Sequence, residues 1–182
     1  MIDETKEVSH VLISSEEIDD ITTRLAGEIS RDFEGKNLVL LGILKGSVPF
    51  MSDLMRKITL PAELEFMKVS SYGAGTVSSG NLTIHLDVLR KGLEDCDILV
   101  IEDIIDSGRT LKMVVSHLLG KGARSVKTCT LLDKPERREV DFTPDYVGKV
   151  VPDYFVVGYG LDFDEKYRTL PYVGIPDFAF EK

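Results

Sequence analysis

The sequence predicts an α/β fold in which a mostly parallel sheet is flanked by helices. Two apolar runs, at residues 38–43 and 98–101, show no polar alternation, which is typical of parallel strands buried on both faces. Each run is followed by a glycine-containing loop and then by apolar residues at helical spacing. Strands that alternate with helices in this way predict a parallel sheet covered by helices.

The first half of the chain is predicted to begin with a short strand at 8–13. Ser14 and Glu17 then form a capping box for an amphipathic helix that extends to Phe33. Further strands are predicted at 38–43 and 64–69, with a helix between them at 48–58. Residues 70–81 contain three Gly and four Ser, which predicts a mobile loop. Apolar and polar residues alternate at 82–88, which predicts a half-exposed strand. We expect the strands before and after the mobile loop to form an antiparallel flap at one edge of the sheet.

The second half repeats the strand–helix pattern. A helix is predicted at 111–119, ended by Gly120 and Gly122, and strands are predicted at 125–132 and 154–159. No repeat, low-complexity tract or linker divides the chain, so we expect one domain over 1–182.

Composition excludes several classes of protein. The net charge is −9, which argues against a protein that binds a nucleic-acid backbone. Cys96 and Cys129 are too few for a disulfide framework. The acidic N-terminus lacks a signal-peptide pattern, and no apolar stretch approaches the roughly 18 to 20 residues that span a bilayer. We therefore expect a cytoplasmic protein without a membrane or nucleic-acid partner.

Chemistry-bearing residues follow the strand at 98–101. Glu102 and Asp103 come first, and the loop Asp106-Ser107-Gly108-Arg109-Thr110 leads into a helix. Open α/β sheets bind ligands at the carboxyl ends of their strands, and helix N-termini bind anions through free N–H groups. Paired acids beside an anion site suit a sugar phosphate with a divalent metal. The alternative is an ordinary strand-end turn with Asp106 capping the helix.

The segment 99–111 resembles the phosphoribosyl-diphosphate-binding signature of type I phosphoribosyltransferases, most closely their hypoxanthine-guanine branch. Ser107 stands where Thr is commoner, and Arg109 where Lys is an alternative, so the hydroxyl and the cation are retained. The resemblance implies the type I phosphoribosyltransferase fold with a flexible flap. It also implies a small hood, built from the N-terminal strand and roughly residues 150–182, and assembly as a homodimer or homotetramer.

The resemblance assigns roles to the loops at the strand ends. Asp106 becomes the general base or acid facing N7 of a purine, while the phosphoribosyl group is held by Glu102, Asp103, Asp106, Ser107, Gly108, Arg109 and Thr110. The resemblance also implies that Mg2+ would be held at Glu102, Asp103 and Asp162. Diphosphate would contact Lys45, Gly46 and Arg168, with a cis peptide bond before Lys45.

The remaining resemblance concerns the flap and the purine. Ser71 and Tyr72 would close over diphosphate. Lys134 would donate to O6 of the base, Phe155 would stack on its ring, and the backbone of Val156 would meet its pyrimidine edge. Residues 136–138, which directly follow, are interpreted as solvated surface.

The leading hypothesis is purine salvage by Mg2+-dependent phosphoribosyl transfer from phosphoribosyl diphosphate to N9 of hypoxanthine or guanine. A xanthine-preferring enzyme is a close alternative. An RNA-binding regulator on the same fold, as in the pyrimidine attenuation proteins, would need a basic face, which the charge of −9 disfavours. A Mg2+-binding receiver domain would lack the glycine loop at 106–110.

Overall fold

The computed structural model describes residues 7–71 and 82–180. Within them, three α-helices and eight strands follow one another along the chain. Their bounds are β1 His10–Ile13, α1 Ser15–Asp32, β2 Leu38–Ile43, α2 Val48–Lys57, β3 Ala62–Ser71, β4 Leu82–Leu86, β5 Asp97–Ile105, α3 Arg109–Gly120, β6 Ser125–Asp133, β7 Tyr146–Val150 and β8 Val173–Ile175.

Six of the strands form the central sheet in the order β4-β3-β2-β5-β6-β7. Every neighbouring pair from β3 to β7 is parallel, whereas β4 pairs with β3 in the antiparallel sense at the edge. The predicted mostly parallel sheet with an antiparallel edge strand is therefore confirmed. Parallel strands carry their carboxyl ends to one edge, and this edge positions the loops that follow β2, β5 and β6.

The two faces of the sheet are both covered. Leu38, Leu40 and Leu99 pack with α1 and α2 on one face. The alternate residues Val39 and Leu41 pack with α3 on the other face. The absence of polar alternation in β2 and β5 thus reflects burial on both sides.

Helix α1 begins where the sequence predicts. The backbone N–H of Glu17 donates to Oγ of Ser14 at 3.2 Å, which caps the first turn. None of the helices in the described part of the chain has the length and apolar character that a bilayer crossing requires.

The predicted strand at 154–159 is wrong. Gly158, Tyr159 and Gly160 all have positive φ, which interrupts an extended backbone, and Val157 makes only an isolated bridge to Gly174. The strand beside β6 is instead β7, which the sequence analysis missed. Gly148 in β7 has no room for a side chain, because a Cβ there would overlap the carbonyl oxygen of Leu131.

A second, two-stranded sheet pairs β1 with β8 in the antiparallel sense. His10 lies opposite Ile175 in this pair. The segment after β8 includes Phe178 and Phe180, which line one of the cavities described next.

Candidate active site

Several loops meet at the carboxyl edge of the sheet. The loop after β2 carries Gly46, whose absent side chain leaves the space that the Asp103 carboxylate of β5 occupies. Gly160 in turn lies against the Gly46 carbonyl, and Nζ of Lys134, just beyond β6, lies 3.8 Å from Oδ1 of Asp106. The structure therefore brings together the segments that the sequence analysis singled out at 44–46, 102–110, 134 and 160–168.

Glu102 and Asp103 form a buried acidic pair at the end of β5. Burial, and secondarily the neighbouring Asp103 carboxylate, raises the pKa of Glu102 well above its ordinary value. Burial also raises the pKa of Asp103, whose Oδ1 accepts the N–H of Ile104 at 2.9 Å. Oε2 of Glu102 is buried and has no hydrogen-bond partner within the described residues. A buried acceptor without a partner is suited to a hydroxyl or cation supplied by a ligand.

The loop after β5 borders a polar cavity of about 520 Å³. Glu102, Asp106, Ser107, Gly108 and Thr110 all line it. Gly108 adopts a φ of 79° and caps α3, so the helix N-terminus opens toward this cavity. The first N–H groups of a helix have no intrahelical acceptor, which makes the cavity suitable for an anion.

Three arginines, one in this loop and two from residues 137 and 138, make ion pairs or hydrogen bonds around it. Nε of Arg109 donates to Oε2 of Glu139 at 2.6 Å. Arg138 donates to the carbonyl oxygen of Asp106 and to the carboxylate of Asp133. The interpretation of 136–138 as solvated surface is therefore wrong for Arg138, whose side chain is only 16% exposed. Its neighbour Arg137 is half exposed, but its side chain lies at the cavity.

A second cavity, of about 720 Å³, has an aromatic wall. Phe155 contacts Phe163 edge-on with ring centroids 5.7 Å apart, and Phe163 lies 4.8 Å from Phe178. Phe155 is predictable from its sequence motif, whereas Phe163 and Phe178 are not, because only tertiary packing brings them beside Phe155. The buried side chain of Val156 belongs to the core instead.

Lys134 lines the aromatic cavity, close to the residues that this cavity shares with the polar one. Its side chain is 7% exposed, and Nζ donates to the carbonyl oxygen of Tyr154 at 2.6 Å. Nζ also lies 3.8 Å from the carboxylates of both Asp106 and Asp153. Asp106 and Arg137 line both cavities, and Oδ1 of Asp106 is buried without a hydrogen bond within the described residues.

Basic side chains cluster around the loop after β2. The Leu44–Lys45 peptide bond is cis, as the resemblance implies. Nζ of Lys45 lies 3.0 Å from Oε2 of Glu165, and this ammonium lowers the pKa of the Glu165 carboxyl. Arg168 donates to the carbonyl oxygen of Gly160 at 2.7 Å and lies 2.8 Å from Oδ1 of Asp162.

The flap residues are only partly described. Ser71 ends β3, and Tyr72 lies outside the described residues. The predicted loop at 70–81 falls outside them too, except for residues 70 and 71.

The fold and site define a class of protein: an α/β fold with a polar, anion-suited cavity at the carboxyl edge of a parallel sheet. Comparison with known families gives the same answer, since residues 14–164 match the phosphoribosyl transferase domain. The chain belongs to the phosphoribosyltransferase family.

Individual relatives agree with this assignment. A hypoxanthine-guanine phosphoribosyltransferase of Lactococcus lactis is 50% identical over 170 residues, which cover 93% of this chain and 92% of the relative. The crystal structure of a hypoxanthine phosphoribosyltransferase from Staphylococcus aureus superposes with a TM-score of 0.90 at 45% identity, covering 94% of this chain and 93% of that one. The predicted resemblance to the hypoxanthine-guanine branch is confirmed.

One group of relatives is much longer. The bifunctional protein TilS/HprT of Listeria monocytogenes is 52% identical over 169 residues, or 93% of this chain, but only 26% of its own length is covered. The chain thus spans about a quarter of these bifunctional relatives.

Proposed function

We propose that this protein catalyses Mg2+-dependent transfer of a 5-phosphoribosyl group from phosphoribosyl diphosphate to N9 of hypoxanthine or guanine. The products are IMP or GMP and diphosphate. The observation that carries the proposal is the junction of two unlike cavities at Asp106. A polar cavity at a helix N-terminus suits a phosphorylated ribose, and an aromatic cavity suits a flat base.

The polar cavity would hold the ribose 5-phosphate. Ser107, Gly108, Arg109 and Thr110 offer N–H groups, hydroxyls and a cation to the phosphate. Glu102 and Asp103 would accept hydrogen bonds from the vicinal ribose hydroxyls. Their raised pKa values express the cost of burying the two carboxyl groups without such partners.

The same acids fit a magnesium ion. Within residues 7–71 and 82–180, no cluster of three or more His, Cys, Asp or Glu side chains could cage a metal. Mg2+ usually binds one or two carboxylates together with substrate phosphates and waters, so the partnerless Oε2 of Glu102 and the adjacent Asp103 suit it. Asp162 would join through water. The ion would neutralise charge on the departing diphosphate.

Diphosphate itself would lie between the loop after β2 and the segment at 160–168. Lys45 and Arg168 supply two cations there, and Gly46 lets the backbone come close to Asp103. Ser71 and Tyr72 of the flap would close over the diphosphate and exclude water.

The aromatic cavity would bind the purine. Phe155 would stack on the ring while Val156 presents its backbone to the pyrimidine edge. The Lys134 ammonium would donate a hydrogen bond to O6 of the base. Adenine has an amino group at this position, which cannot accept that hydrogen bond. Its buried position, already anchored to the Tyr154 carbonyl, supports a specificity role rather than a solvated one.

Asp106 stands where base and sugar meet. As N9 forms its bond to C1 of the ribose, the C1–O bond to diphosphate breaks, and Asp106 takes the proton from N7. The Lys134 ammonium lies 3.8 Å from Oδ1 of this Asp106 carboxyl group, at the point where the proton is transferred. The remaining contribution is positioning of the two substrates.

Further features extend the proposal beyond the site. The β1–β8 sheet and residues 150–182 would form the hood of one domain spanning 1–182. We propose a cytoplasmic homodimer or homotetramer whose partners are small molecules, in line with the cysteine content and the net charge of −9.

The decisive experiment measures turnover of hypoxanthine, guanine, xanthine, adenine and uracil with phosphoribosyl diphosphate and Mg2+. Hypoxanthine and guanine should react fastest. A preference for xanthine would select the alternative specificity, and no turnover of any base would refute the proposal. A gel shift with RNA at physiological salt should be negative.

A further inference from the structure

An acidic side chain lies between the two cations of the proposed diphosphate site. Oε2 of Glu165 is 3.0 Å from Nζ of Lys45 and 3.4 Å from Nη2 of Arg168. A single carboxylate oxygen therefore bridges residues from two different loops. Phosphate oxygens pair with ammonium and guanidinium groups in the same way, so Glu165 presents to these cations the contact that a diphosphate oxygen would offer.

The backbone under Glu165 is unfavourable for this residue type. Asp164 and Glu165 have φ values of 52° and 62°, and they form the tip of a tight turn. Phe163 and Lys166 close the turn with hydrogen bonds of 3.1 and 3.3 Å. Turns with positive φ at both central positions favour Asn-Gly or Asp-Gly. A glutamate at the second position is disfavoured by the backbone, which points to a use for its side chain.

The contacts of Glu165 are of a kind that a ligand can displace. The side chains of Lys45 and Glu165 are 52% and 63% exposed. Exposed ion pairs contribute little to stability, so exchanging the carboxylate for a more highly charged anion costs the fold little. Arg168 also keeps separate contacts to Asp162 and the Gly160 carbonyl, which hold its guanidinium in place when Glu165 leaves.

We propose that Glu165 is a positioning residue that takes the place of a diphosphate oxygen in the ligand-free protein. It holds Lys45 and Arg168 together and releases both cations to the diphosphate. This inference rests on the proposed function. Its consequence is that Glu165 competes with the diphosphate, which weakens binding and speeds the release of this product.

The test measures binding of diphosphate in excess Mg2+ by calorimetry to the full chain and to Glu165→Gln. The variant keeps the shape of the side chain but removes its charge. We expect diphosphate to bind about threefold to tenfold more tightly, the range that one or two exposed ion pairs correspond to. Release of diphosphate in stopped-flow measurements should slow by a similar factor.

A second variant protects the test against misfolding. Glu165→Gly removes the competing carboxylate and suits the positive φ of this position, so it should fold and bind diphosphate more tightly as well. Glu34→Gln removes the same charge from an exposed position and serves as the control, with affinity unchanged.

The outcomes separate the inference from the function on which it rests. Tighter binding by both variants supports the displacement role. Unchanged or weaker binding, with normal binding by the parent protein, overturns it, since a merely structural glutamate would not oppose the ligand. If the parent protein binds no diphosphate at all, the proposed function fails first.

Discussion

The missing side chain of Gly46 is what allows the Asp103 carboxylate to lie against the loop after β2. A Cβ at residue 46 would overlap Oδ2 of Asp103. The contact joins the proposed diphosphate loop to the acidic pair at the end of β5. Gly160 also lies close to residue 46, since a Cβ on Gly160 would overlap the Gly46 carbonyl oxygen. Three segments that are distant in sequence thus depend on two glycines.

The first prediction concerns this contact. Gly46→Ala should displace the Asp103 carboxylate and lower kcat/KM for phosphoribosyl diphosphate by about 100-fold or more, because small displacements of a positioning group are costly. Gly120→Ala is the matched control, since a Cβ there meets nothing within 4 Å and the position ends a helix. The control should keep full activity. Equal kcat/KM values for the two variants would contradict the role of Gly46.

Much of the fold is predictable from local pattern. The bounds of β2 were predicted as the structure has them, because its burial on both faces leaves a continuous apolar run. The prediction of a strand at 154–159 is wrong. The apolar residues there have the pattern of a strand, but Gly158 and Gly160 adopt positive φ, which interrupts an extended backbone. The missed β7 contains Gly148 and Lys149, which weaken its pattern.

The part of the site that lies in one continuous segment was also predictable from the sequence. The signature at 99–111 is local, so sequence alone located the acids and the anion loop. Arg138, Phe163, Phe178 and Glu165 were not identified, since each becomes important only through a distant contact. Arg138, for instance, looks like part of a charged surface run until the chain brings it to Asp133 and to the Asp106 carbonyl.

The second prediction tests Asp106 as the proton acceptor. Asp106→Asn should lower kcat by about 100-fold or more, as loss of a general base does, while nucleotide affinity stays within about twofold. Single-turnover kinetics and IMP titration measure the two effects separately. Asp20→Asn, on the exposed face of α1, is the charge-matched control. A variant with the parent's kcat would remove Asp106 from the chemistry.

The third prediction tests base selection by Lys134. Lys134→Ala should reduce the ratio of kcat/KM for hypoxanthine to that for adenine by about tenfold or more, because one donor to O6 is lost. The ratio is the proper readout, since truncating a buried side chain that also lies near Asp106 will lower all rates. Lys112→Ala, on the exposed surface of α3, should leave the ratio as it is. An unchanged ratio in Lys134→Ala would show that this lysine does not read O6.

The fourth prediction concerns the support of the loop after β5. Arg138→Met should lower the free energy of unfolding by about 3 kcal/mol, since it leaves the Asp133 carboxylate buried without its partner. Denaturant titration measures the loss. Arg137→Met, at the adjacent and half-exposed position, should change stability by less than about 1 kcal/mol.

A double variant shows whether the pair is the cause. Asp133→Asn combined with Arg138→Met removes the stranded charge and should restore about half of the lost stability. If the double variant instead loses as much stability as the two single variants added together, Arg138 acts through packing alone. If the double variant does recover stability, we also expect Arg138→Met to bind phosphoribosyl diphosphate more weakly. The reason is that the Asp106 carbonyl loses its hydrogen-bond donor in this variant.

The last prediction concerns the pH dependence of stability in the ligand-free protein. The pKa of Glu102 in the folded state lies well above its ordinary value of 4.5, because the carboxyl is buried beside Asp103. As the pH rises past 4.5, the folded protein keeps a proton that the unfolded chain has lost, so stability falls with rising pH until the folded-state pKa is passed. Burial also raises the pKa of Asp103, so this residue adds to the loss of stability with rising pH.

Glu102→Gln should therefore be more stable than the parent protein at pH 8, by about 1 kcal/mol, and nearly equal to it at pH 5. Thermal unfolding across this range measures the difference, with Glu34→Gln, an exposed acid, as the control. The same variant should bind Mg2+ and phosphoribosyl diphosphate poorly, because an amide is a weaker ligand for a hard cation than a carboxylate. If the stability difference does not change between pH 5 and pH 8, the folded protein does not raise the pKa of Glu102. A gain in stability that comes with a loss of binding would identify the acidic pair as a site kept for its ligand at the expense of the fold.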